Sequence, residues 1–206
     1  DFTLRGLRAV LEEVTACFPV YRTYVDERGA TAEDRKQIDA AFRVARRRSP
    51  GRARTIFDFV HGALTGDLVR RRRSGYSRTQ VLRFAMKYQQ FTSPVMAKSL
   101  EDTSFYRYNR LISLNEVGGD PERFGLSVAA FHAANRARMR DWPHNMVTTS
   151  THDSKRGEDT RARLNVLSEM PDEWGRRVAR WSRLNRRGRA GRDRGGVPSR
   201  NHEYFL

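Results

Sequence analysis

The sequence predicts a mainly α fold with one or two short strands. Apolar residues recur at helical spacing in one segment after another, capping residues stand just ahead of those segments, and β-prone runs are confined to two short stretches. Thr3 caps a first helix with Leu4, Leu7, Val10, Leu11 and Val14 on one face, and Pro19 ends it. The alternating run Val20–Val25 is a short strand or an extended connection. Thr31-Ala32-Glu33-Asp34 is a capping signature for a second helix carrying Ile38, Phe42 and Ala45. A third runs over about 50–65 with Ile56, Phe57, Val60 and Leu64 in step, and the arginines at 70–73 sit near its end. Ser77 to Gln80 opens a fourth helix through about Phe91, and Ser93-Pro94 restarts the chain as a short helix with proline in its first position.

Residues 103–125 have no clear period, and Gly118-Gly119-Asp120-Pro121 is a turn. Ser127 starts a helix through about Arg140, which Trp142-Pro143 stops. Met146-Val147-Thr148-Thr149 reads as a buried strand. Two helices follow near 157–169 and 171–187. Trp174, Val178 and Trp181 recur at core-forming spacing in the second. The Gly- and Arg-rich stretch 186–198 reads as a mobile basic loop. The chain turns apolar again at 200–206, as if an element were continuing, so an internal piece of a longer protein is expected.

Composition narrows the function classes. At 206 residues with 38% apolar content, the chain suits one domain or two small ones with a lean core. No apolar run approaches the roughly 18 residues of a membrane span, and Asp1–Arg5 does not open a signal peptide. Cys17 has no second cysteine to pair with, which fits a cytoplasmic protein, and its place in an apolar stripe suggests an inert thiol. The net charge of +16 raises the question of nucleic acid. Yet only Lys36, Lys87, Lys98 and Lys155 are lysines, and an arginine skew of this kind follows from GC-rich coding without a phosphate partner. A basic helical module for nucleic-acid binding or interaction is the alternative class, and nucleic acid is not the favoured partner.

Two stretches could carry chemistry. In Thr149-Ser150-Thr151-His152-Asp153-Ser154-Lys155-Arg156, a β-prone run leads into a carboxylate beside His and two cations. Barrel enzymes place catalytic groups at such strand ends, and a carboxylate there can accept two bonds from sugar hydroxyls. On spacing alone a plainer role is favoured, with Asp153 capping the next helix and pairing with Arg156. The other stretch runs from Gln89-Gln90 through Lys98, Glu101-Asp102-Thr103 and Phe105-Tyr106-Arg107-Tyr108-Asn109-Arg110. Rings for stacking are interleaved with polar groups for hydroxyls, a mixture that suits a sugar. An ordinary ion-pair network with the aromatics in the core suits it equally. Neither a zinc-type Cys/His spacing nor a Gly-rich phosphate loop occurs, and no cofactor is called for.

Four blocks in order, Phe18–Tyr24, Pro94–Asn109, Leu114–Pro121 and Thr149–Arg156, together resemble the maltooligosyltrehalose synthases of the α-amylase superfamily of glycoside hydrolases, family 13. The resemblance implies a (β/α)8-barrel with inserted helical regions. Residues 1–125 would be a helical insertion subdomain, and 126–206 part of the barrel's second half. It implies an isomerase of trehalose biosynthesis that turns the reducing-end α-1,4 bond of a maltooligosaccharide into an α-1,1 bond by retaining chemistry. Asp153 matches the supporting third carboxylate and His152 a histidine on the −1 sugar. Lys155 and Lys98 match lysines on the acceptor side. Glu101, Tyr106, Arg107, Tyr108 and Arg156 lie in the matching blocks as further substrate contacts. Ser93, Ser99 and Ser154 are mild departures from the pattern. The motifs of the nucleophile and general acid have no match, so the chain alone is expected to be inactive and to expose apolar surface open to self-association.

Overall fold

A computed structural model describes residues 2–70, 75–189 and 198–205. They form two compact units, Asp1–Leu100 and Glu101–Leu206. The division falls inside the 1–125 segment assigned to an insertion from sequence. The mainly α expectation holds, since helices dominate both units. No described helix is long and apolar enough to cross a membrane.

The first unit contains α1 (Leu4–Ala16), α2 (Ala32–Arg48), α3 (Arg54–Thr65) and α4 (Arg78–Met96). The starts of α1, α2 and α4 follow the caps read from sequence, whereas α3 begins after Ala53 without a side-chain cap. The Thr3 side chain accepts the Gly6 N–H, Thr31 and Asp34 form a reciprocal capping box, and Ser77 accepts the Gln80 N–H. The core gathers one stripe from each helix: Val10 and Val14, then Ile38, Ala41, Phe42 and Ala45, then Phe57, Val60 and Leu64, then Ala85 and Tyr88. Ala41 and Ala45 are fully buried, and their small side chains leave room for Phe57, whose ring meets Phe42 edge-on at 6.2 Å. Leu4, expected on the α1 core face, is instead exposed. Burial pushes the Tyr88 phenol up to about 12, against a 3.1 Å hydrogen bond with Thr15.

Pro94 does not restart a helix. It lies inside α4, which runs unbroken to Met96 and passes into a π-helical turn over Ala97–Glu101. Proline has no N–H, so one bond of the ladder is forfeited; the preceding turn buries Gln89 and Thr92, and the helix gives way to the π-helical turn three residues on. Val20–Val25 is extended without forming a strand, and the only bridge beside it joins Asp26 to Gly29. Arg71–Arg73 of the basic run lie outside the described residues.

Two buried or half-buried carboxylates tie this unit together. Arg35 on α2 grips Asp67 with two bonds of 2.7 and 2.8 Å, and that guanidinium holds the Asp67 carboxyl far below the usual range against the opposing effect of burial. At Asp34, burial raises the pKa, but the N–H groups of Tyr24 and Thr31 and the Thr31 hydroxyl outweigh it and leave a net lowering. Carboxyls depressed in the folded state stabilise it above their unfolded pKa, about 4, and that stability is lost as pH falls toward the folded values. Thermal stability should therefore drop below about pH 4. Asp67→Asn should flatten that acid limb, and an unchanged limb would refute the assignment.

The second unit contains α5 (Val128–Asp141), α6 (Glu158–Asn165), α7 (Pro171–Arg189) and α8 (Arg200–Phe205). Ser127 caps α5 as expected, and Trp142 ends it. No strand occurs among the described residues, so the expected short strands are absent. The run Met146–Thr149 is irregular, with Met146 93% and Val147 76% exposed. A strand needs a neighbour to take its backbone bonds, and the described residues supply none there. α5 has no buried residue, and Phe124, Leu126, Val128, Phe131, Met139 and Trp142 all lie open. Trp174 packs edge-on to Trp181 and Tyr204 and donates its indole N–H to the Tyr204 hydroxyl at 3.0 Å, though Trp181 stays 45% exposed. Of the expected mobile loop 186–198, residues 186–189 close α7 and 190–197 lie outside the described residues.

Candidate active site

The segment from Thr149 to Gly157 forms an exposed turn held at both feet. Ser154 donates its N–H to the Thr151 carbonyl at 3.1 Å, and its hydroxyl accepts the Thr151 N–H at 2.8 Å. That leaves His152 and Asp153 at the two central positions, where side chains point outward, and both are exposed. Asp153 does not cap the next helix, because the N-cap of α6 is Gly157, which has no side chain to do so. Arg156 is engaged elsewhere: its guanidinium lies 5.6 Å from the Phe205 ring centroid and donates to the Ile112 carbonyl at 3.5 Å. The plainer role for Asp153 read from spacing is therefore not the one built here.

Lys155 follows this turn and is fixed at both its ends. Its backbone N–H donates to Glu116 Oε1 at 2.6 Å, and its ammonium donates to Asp102 Oδ1 at 2.6 Å. The ammonium also stands 5.7 Å from the Tyr106 ring centroid. The side chain is only 12% exposed, and the bond to Asp102 raises its pKa against the lowering effect of burial. Glu101 is buried beside it, adds to the same field and accepts the Gly118 N–H at 3.4 Å. Tyr106, Arg107 and Tyr108 follow on an exposed stretch. Buried Asn115 braces that stretch by donating to the Phe105 and Tyr108 carbonyls at 2.8 and 2.6 Å.

Glu116 faces the turn from below. Burial pushes its carboxyl up, but the N–H groups of Lys155, Val117 and Arg156, with Arg161 nearby, outweigh this and hold it below the usual range. The loop that carries it is tight: a Cβ on Gly119 would fall 2.7 Å from the Leu114 carbonyl and 2.9 Å from that of Glu116. Only glycine fits such a close approach of backbone.

The second unit thus brings together Glu101, Tyr106, Lys155 and Arg156, with His152 and Asp153 on the adjoining turn. Lys98 belongs to the first unit, where it is exposed on the π-helical turn. Sequence reasoning did not single out Asp102, Glu116 or Arg161. The turn signal Gly118-Gly119, two residues after Glu116, is the one local signal that could have marked any of them.

No family model matches the chain. Two curated proteins from strains of Mycobacterium tuberculosis, each named a putative maltooligosyl trehalose synthase, are 56% identical over 90 residues, covering 44% of this chain and 12% of theirs. The solved maltooligosyltrehalose synthase of Arthrobacter ramosus is 37% identical with a TM-score of 0.72, over 86% of this chain and 21% of that one. A hypothetical maltooligosyl trehalose synthase from Sulfolobus tokodaii is 30% identical with a TM-score of 0.66, over 95% of this chain and 22% of that one. Sequence and fold therefore place the chain alongside enzymes named for trehalose formation. In particular, it resembles a segment of maltooligosyltrehalose synthase, as its four sequence blocks imply, and it spans about a fifth of the solved relatives' length.

Proposed function

We propose that the chain forms one wall of the active site of a maltooligosyltrehalose-forming enzyme, an intramolecular transglycosylase of the α-amylase superfamily working in the cytoplasm. The parent protein would convert the reducing-end α-1,4 linkage of a maltooligosaccharide into α-1,1. One carboxylate attacks the anomeric carbon and breaks the glycosidic bond, while a second protonates the departing oxygen. The released glucose stays bound, turns and attacks the anomeric carbon of the glycosyl-enzyme through its own anomeric hydroxyl, which breaks the bond to the first carboxylate and frees it, while the hydroxyl proton goes to the second group. Both reacting carboxylates belong to the barrel outside this chain. Residues 1–125 would be the helical insertion and 126–206 part of the barrel wall.

In this reading Asp153 accepts hydrogen bonds from the −1 sugar's hydroxyls and steadies positive charge as it develops, with His152 beside it. Lys155 and Lys98 grip the glucose on the acceptor side. Glu101, Tyr106, Arg107, Tyr108 and Arg156 complete the contacts or brace them. The observation that supports it best is Asp153 itself. It is an exposed carboxylate with no described hydrogen bond, raised on a turn whose neighbouring lysine is fixed in place. Such preorganisation without a structural duty suits a group that works on a ligand. The exposed apolar side chains around α5 fit a face that other barrel elements would cover, and self-association of the isolated chain would follow from leaving it open.

Incubation of the purified 206-residue chain with maltopentaose should yield no trehalose-capped product, whereas the complete polypeptide should yield it. Turnover by the chain alone would show that the reacting carboxylates lie within it.

A further inference from the structure

The turn bearing His152 and Asp153 has feet held by two side chains that sequence reasoning passed over. Its leading foot is tied by Arg161 on α6, whose guanidinium donates to the Thr149 carbonyl and lies 3.5 Å from the Ser150 hydroxyl. Its trailing foot is tied by Glu116, which accepts the N–H groups of Lys155 and Arg156 at 2.6 and 3.3 Å. The two holders face each other, with Arg161 Nε 4.0 Å from Glu116 Oε2 and side-chain exposures of 26% and 17%. Arg161 Nε is buried and has no hydrogen-bond partner among the described residues. Between the feet, the turn is closed by three Thr151–Ser154 bonds, and the Ser150 hydroxyl at the leading foot also donates to Glu158.

We propose that Glu116 and Arg161 act as one clamp that positions the His152–Asp153 turn against the substrate. They touch no sugar, so they are positioning residues, and the inference rests on the carbohydrate reading above. A carboxylate suits the trailing foot because it accepts two backbone N–H groups that point into one place. A guanidinium suits the leading foot because one of its NH2 groups can reach a carbonyl and a hydroxyl together. Opposite charge then links the two holders, so the two feet are fixed relative to each other.

The test uses the complete enzyme. Glu116→Gln keeps the shape but turns an amide NH2 toward one of the two backbone donors. It should lower kcat for maltopentaose by about 10- to 100-fold, the penalty of a misplacement near 1 Å, with KM little changed. Arg161→Lys, which keeps the charge and is gentler on folding, should give a smaller loss of the same kind. On the trace rate left by Asp153→Asn, either clamp variant should have no further effect, because there is no carboxylate left to position. Amide exchange at Lys155 and Arg156 should also quicken in Glu116→Gln. An equal fold-loss with and without Asp153, or unaltered exchange at those amides, overturns the clamp. If Asp153→Asn itself leaves turnover near normal, the carbohydrate reading fails instead. If Asp153→Asn abolishes turnover while Glu116→Gln leaves kcat intact, only the clamp fails.

Discussion

Asp153→Asn in the complete enzyme is expected to abolish turnover of maltopentaose, leaving at most a trace, while the substrate still binds. The change keeps the side-chain volume and removes only the charge and one strong acceptor. Because Asp153 is exposed and makes no described hydrogen bond or ion pair, the fold should lose little, and the melting temperature should stay close to the parent's. The loss should fall on kcat, since a carboxylate beside a forming oxocarbenium-like centre acts most strongly in the transition state. Single preorganised groups of this kind are worth about 10²–10³-fold, and a full charge should exceed that. Product chromatography measures turnover, and calorimetry with maltopentaose measures binding. Near-normal turnover would remove Asp153 from its proposed role. Loss of binding together with turnover would make it a ground-state contact instead.

The parts of this chain that were legible in its sequence are those set by neighbours. Thr3, Thr31 with Asp34, Ser77 and Ser127 each mark a helix start, because a cap and the N–H it accepts lie two or three residues apart. The core stripes Ile38–Ala45 and Phe57–Leu64 follow from period alone. What stayed hidden depends on distant partners. Lys155 meets Glu116 across 39 residues and Asp102 across 53, and no local pattern encodes either meeting. The strand expected at Met146–Thr149 failed for the same reason. β-branched residues favour extension, but a strand exists only where a second strand lies beside it. Pro94 misled in the opposite way. Its ring is most at home opening a helix, yet here it lies inside α4, just after the turn that buries Gln89 and Thr92.

Gln89→Leu should cost the first unit about 3–5 kcal/mol, the largest stability loss expected from one polar side chain here. The Gln89-Gln90 pair suggests a sugar-binding amide on sequence grounds, yet the two residues have different fates. Gln90 is exposed, whereas Gln89 is buried and acts as the missing neighbour of the extended segment beside it. Its Oε1 accepts the Val25 N–H at 2.9 Å and the Thr23 hydroxyl at 3.3 Å, and its Nε2 donates to the Val25 carbonyl at 2.9 Å. A single amide thus makes the two bonds that an adjacent strand would make with Val25. Val25 and Thr23 are themselves buried, so water cannot replace what leucine removes. Each orphaned group carries a desolvation penalty of about 1–3 kcal/mol, and at least two would be orphaned. Against a total stability of about 5–15 kcal/mol, that is enough to unfold a marginal domain near body temperature. Gln90→Leu, one residue away, should change stability by no more than about 0.5 kcal/mol. Denaturant unfolding of the two variants side by side decides it. A loss below about 1 kcal/mol for Gln89→Leu would mean that Val25 finds other partners and that the amide does not hold the segment.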